Sequence, residues 1–163
     1  MLDIIKEKLN LIEKSDEYKK WLLDNKNSYL CSIFCLDDKE DNWQIDYYNP
    51  KTKLITNYFL QNNVIITNTD KVFSKTPKKI NELNINEVKI DLDKVKEITN
   101  KIINEKYKGE SPYKTIVILQ NLNEVLWNVT IIMGSFNILN IKINALNGEI
   151  IEENMGSVFK FTT

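Results

Sequence analysis

The run from Val125 to Ile151 constrains this chain more than any other, because two strand patterns follow each other there across a Gly134-Ser135 turn. Val125, Trp127, Val129, Ile131 and Met133 are apolar, and Asn128 and Thr130 stand between them, which is the period of two of a strand with one buried face. Leu139, Ile141, Ile143 and Ala145 repeat the pattern against Asn140, Lys142 and Asn144. A slip of one residue would bury three polar side chains, so the register is firmly set. Asn147-Gly148 tolerates positive φ and predicts a type I′ turn into a short strand at Glu149-Ile150-Ile151. Thr115 to Leu119 is short, β-branched and bounded by Pro112 and Asn121, so it also reads as strand. Four consecutive antiparallel strands is the economical reading of this half.

Upstream, residues 2 to about 24 read as helix, with Leu2, Ile5, Leu9 and Ile12 on one stripe and Ser15 placed to restart the helix as an N-cap. Tyr29 to Leu36 is a nearly continuous apolar strand. Trp43, Ile45 and Tyr47 then alternate with Gln44, Asp46 and Tyr48, and Leu54 to Leu60 and Val64 to Thr67 complete a second set of four. Asp91 is a candidate N-cap for a helix over Leu92 to Tyr107, which Gly109 to Pro112 ends. The offset that separates Trp43 from Trp127 also pairs Tyr29 with Tyr113, Glu40 with Glu124, Asn63 with Asn147 and Ile66 with Ile150. The expected fold class is α+β, built of two helix-plus-four-strand antiparallel repeats with helices packed on sheet, as two four-stranded sheets or one continuous sheet. The expected division is an N-terminal repeat over 1–67, a connector over 68–90, a C-terminal repeat over 91–152 and a tail over 153–163.

Composition narrows the function. The net charge of −1 supplies no long-range attraction to nucleic acid or an anionic membrane, and all 22 basic residues are Lys, so no bidentate guanidinium is present for phosphate or guanine. With no His, Ser-His and Cys-His catalysis and His-ligated metal within this chain are excluded. Met1 to Lys8 mixes both charge signs and lacks the apolar segment of a secretory signal, and no run is long enough to span a bilayer, so a cytoplasmic location is expected. Cys31 and Cys35 share one strand face and read as two small buried hydrophobes in a reducing compartment. Neither a cofactor, a metal nor a catalytic residue is expected.

Trp43, Tyr47 and Trp127 occupy inward strand positions, where a large ring is first of all buried area; the alternative is that they anchor a partner on a concave sheet face. Lys75, Lys78 and Lys79 could meet an acidic partner or simply solvate a connector. Asp37, Asp38, Glu40 and Asp41 offer carboxylates without the spacing or glycine of a calcium loop and read as a solvated hairpin tip.

The C-terminal unit resembles a PepSY-like domain. The residues that carry the likeness are the helix start Ile90 to Val95, the strand Leu126-Trp127-Asn128-Val129, and Ile141 to Ile150, in which Asn144 stands where the family usually has aspartate. The tandem arrangement is similar to the cystatin-like architecture of beta-lactamase inhibitor protein. The resemblance implies a non-enzymatic module associated with peptidase inhibition or protein binding. The expected function is therefore protein binding, as an inhibitor or immunity-type protein working through its sheet face on an unidentified protein partner. The alternative is a carrier of a small molecule or peptide in a cavity between helix and sheet.

Overall fold

The computed structural model describes residues 2–36, 42–62, 64–71 and 79–160. Helices α1 (Leu2–Glu13) and α2 (Asp16–Asp24) lead into strands β1 (Tyr29–Leu36), β2 (Asn42–Asn49), β3 (Leu54–Gln61) and β4 (Val64–Lys71). A strap over 79–91, with a single 3-10 turn at Ile85–Glu87, leads to α3 (Leu92–Lys106). Strands β5 (Pro112–Asn121), β6 (Val125–Met133), β7 (Asn137–Asn144) and β8 (Ile150–Ser157) follow, with a final 3-10 turn at Val158–Lys160.

Local chemistry sets the helix boundaries. Ser15 ends one helix and begins the next: its hydroxyl donates to Ile12 O at 2.6 Å and accepts from Tyr18 N at 3.2 Å. Asp91 caps α3 by accepting from Lys94 N at 2.9 Å. Both caps stand where the sequence placed them.

Among the described residues the eight strands form one antiparallel sheet in the order β4-β3-β2-β1-β5-β6-β7-β8. The joint is the β1–β5 ladder, in which Ile33 stands opposite Leu119 and Cys35 opposite Val117. Ile5, Leu9 and Ile12 of α1, Val95, Ile102 and Ile103 of α3, and Leu83 and Val88 of the strap pack on one side of this sheet in a single core. Burying residues of this kind stabilises the fold by about 1.5–3 kcal/mol each, before the entropy of ordering the chain is counted. The strap is held by Leu83 N donating to Leu30 O at 2.8 Å and by Lys89 N and Ile90 N donating to Ala145 O.

The expectation of two helix-plus-four-strand repeats, tandem PepSY-like or cystatin-like, is overturned. The β1–β5 ladder merges the strands of both halves into one sheet over one core, and the described residues hold three α-helices, two before β1 and one before β5. Residues matched by the common offset also live differently: Tyr29 is half-buried and bonded to Ile80 O, whereas Tyr113 is 81% exposed.

Two finer expectations change as well. The turn after β7 is not type I′, since only Gly148 takes positive φ (79°) there. The Asn144 side chain accepts from Leu146 N and Asn147 N and folds a longer loop around itself. β4 and β8 each run to eight residues, beyond their apolar stretches, because pairing with β3 and β7 supplies the backbone partners that local pattern does not.

Candidate functional site

Alternation along each strand gives the sheet two unlike faces. One carries the core and every described helix. The other carries Phe34 between Ile33 and Cys35, Ile118 between Val117 and Leu119, and Phe59 between Tyr58 and Leu60. The register places Phe59 opposite Gln44, Gln44 opposite Phe34, and Phe34 opposite Ile118, so these four form a row across β3, β2, β1 and β5. The next row pairs Leu36 with Ile116. All six side chains are half-buried. Toward β7 and β8 the same face turns polar, with Asn140 Nδ2 donating to Asn128 Oδ1 at 2.7 Å and an ion pair between Lys142 and Glu152.

One row from Phe34 and Gln44 lies a carboxylate. Asp46 is 4% exposed, and its side chain accepts from Ser32 Oγ at 2.9 Å, Gln44 Nε2 at 2.9 Å and Asn57 Nδ2 at 2.6 Å. All three donors are neutral. Burial holds the Asp46 carboxyl above the ordinary carboxylate range, with the three donors acting in the opposite direction. The result is an acidic point enclosed by amides and a hydroxyl beside an apolar row.

The residues singled out from the sequence go elsewhere. Trp43, Tyr47 and Trp127 are 2%, 2% and 1% exposed, all on the helix side of the sheet, where they offer no contact area to a partner. Trp127 Nε1 donates to Ile90 O at 2.9 Å, and Tyr47 Oη donates to Glu13 Oε1 at 3.0 Å. Lys79 is exposed at the start of the strap; Lys75 and Lys78 lie outside the described residues, as do Asp37, Asp38, Glu40 and Asp41.

Tyr18, Trp21, Tyr47 and Tyr58 form a four-ring cluster under α2, with every pair of ring centroids between 5.1 and 5.8 Å apart. Rings in direct mutual contact leave no space for a cation between them, so this is packing and not an aromatic cage. Burial pushes the Cys31 thiol up to about 12, which keeps it protonated and unreactive at neutral pH. Among the described residues no group of three or more carboxylates and thiols converges in a metal-binding arrangement. No described helix is long and apolar enough to cross a membrane.

The sequence signal for the open face was the nearly unbroken apolar character of β1 and β5. Such runs in the two central strands of an antiparallel sheet mean apolar side chains on both faces, and the helices cover only one. Asp46 gave no signal, since in sequence it is one more polar residue in an alternating strand.

No family model matches the chain, and no curated protein matches it. Among solved structures it is similar to a “putative lipoprotein” from Clostridium difficile 630, with a TM-score of 0.55 and 11% identity over 86% of this chain and 91% of that one. At that identity the likeness shows a shared fold alone.

Proposed function

We propose that the chain is a non-enzymatic protein-binding module that acts through the open face of its sheet, in the manner of an inhibitor or immunity-type protein. The observation that carries the reading is the row of Phe59, Gln44, Phe34 and Ile118 on the side away from every described helix. Large apolar side chains clustered on an accessible face mark interaction sites. Asp46 lies one row away but is 4% exposed, with its carboxylate taken up by Ser32, Gln44 and Asn57, so this face offers a partner apolar contact and not an accessible charge. The sequence resemblance of residues 90 to 152 to a PepSY-like domain points to the same class of function.

The test compares the tagged chain with Phe34→Lys and with a control, Lys6→Glu/Lys14→Glu, at exposed positions in and just after α1. Each is incubated with lysate of its native source after its fold is checked by circular dichroism. The expected result is one stoichiometric partner kept by the control and lost by Phe34→Lys. A folded Phe34→Lys chain that keeps the partner contradicts the proposal. A cytoplasmic setting, as opposed to an envelope one, belongs to the same reading and is supported by two buried cysteines that form no disulfide. Cell fractionation separates the two.

A further inference from the structure

We infer that the cleft between α3 and the sheet is a binding site for a small, mainly apolar molecule carrying one hydrogen-bonding group. The cleft has a volume of about 120 Å³. Thr115, Val117, Val129 and Ile131 form its floor, Thr99 looks in from α3, and the exposed Asn100 and Pro112 stand at its rim.

Thr99 is 6% exposed, and its Oγ1 has no hydrogen-bond partner. A helical threonine ordinarily turns its hydroxyl back to the carbonyl one turn earlier, and this one does not. A buried hydroxyl left unpaired is costly, so its orientation makes sense when something in the cleft completes it. Water alone fills the cleft poorly, because each buried water needs two to four polar partners and, apart from Thr115, the sheet side of the lining is valine, isoleucine and proline. The volume is close to the roughly 150 Å³ of an apolar engineered cavity that takes up benzene. Size and lining together select a compact ring or short chain with a single hydroxyl or carbonyl. The cleft lies on the side of the sheet opposite Phe34 and Ile118, so this site and the proposed docking face stand or fall separately.

The test uses phenol and toluene as probes of the full chain, followed by methyl NMR. Phenol is expected to saturate with a Kd at or below about 1 mM, as befits seven heavy atoms, and to shift the methyl signals of Val117, Val129 and Ile131. Toluene, lacking the hydroxyl, is expected to bind roughly fivefold more weakly, the worth of one neutral hydrogen bond. Thr99→Val should erase that difference, and Val129→Leu, which fills the floor, should weaken both probes. Absence of saturable shifts, shifts confined to other residues, or an equal affinity for the two probes in the unmodified chain would each overturn the inference.

Discussion

Ser32 and Asp46 stand opposite each other in the β1–β2 ladder, and the Ser32 hydroxyl donates to Asp46 Oδ2 at 2.9 Å. That pairing depends on a bulge. Leu30 faces Tyr47, and the register then shifts so that Ser32 and not Cys31 faces Asp46. The extra residue, Cys31, is buried, and its thiol donates to the Asp46 backbone carbonyl at 3.3 Å. One inserted residue thus puts an oxygen donor on the carboxylate and tucks the thiol away.

Because burial raises the Asp46 carboxyl above its ordinary value, the folded chain binds this proton more tightly than the unfolded chain does. The penalty is present at neutral pH, is relieved as pH falls through the folded value, and is gone below the unfolded value near 3.8. Asp46→Asn removes the titration. The stability of the unmodified chain relative to Asp46→Asn should therefore rise as pH is lowered from about 7 to about 4. Urea unfolding at several pH values checks the sign, and a relative stability that falls with pH would refute the assignment.

The aromatic cluster makes two tyrosines separable. Tyr58 has a buried hydroxyl with no partner, whereas the Tyr47 hydroxyl is bonded to Glu13. Tyr58→Phe should leave stability unchanged or raise it by about 1 kcal/mol, and Tyr47→Phe should cost about 1 kcal/mol. A loss of stability in Tyr47→Phe with none in Tyr58→Phe, read from paired denaturant titrations, is the expected outcome.

Trp127 pins the strap to β6 through its bond to Ile90 O. Trp127→Phe keeps most of the buried ring but leaves that carbonyl without the indole donor, at a cost of about 2 kcal/mol. Trp127→Ala also opens a cavity and should cost about 3–5 kcal/mol. Amide exchange in residues 85–91 should accelerate in both, which a cost confined to β6 packing would not produce.

β4 is paired along one side only among the described strands, and Ile66 on it is 51% exposed. Ile66→Lys should change stability by no more than about 0.5 kcal/mol while raising the concentration at which the chain self-associates, because a charge on an edge strand discourages edge-to-edge pairing. Light scattering across a dilution series measures it.

Local rules carried much of the fold. Ser15 and Asp91 were legible as caps because each bonds to a backbone N–H three residues on. The inward parity of Trp43, Tyr47 and Trp127 was legible because alternation is a property of a single strand. What decides between two sheets and one is the β1–β5 ladder, a contact between segments far apart in sequence for which local pattern holds no information. The Asn147-Gly148 turn misled because the Asn144 side chain bonds to Leu146 N and Asn147 N, a competition that residue identity at the turn does not show. The open face was half legible: β1 and β5 were apolar on both sides, but which side the helices leave uncovered is settled only by packing.

The most direct test of the open face as a docking surface is site-specific photocrosslinking, with a photoreactive phenylalanine analogue placed at Phe34 or Ile118, and at Leu11 or Leu23 on the helix side as controls. The first two positions are expected to trap one defined protein through an apolar segment, and the two controls to trap none. Crosslinks to that protein from Leu11 or Leu23, with none from Phe34 or Ile118, would place the interface on the helices and contradict it.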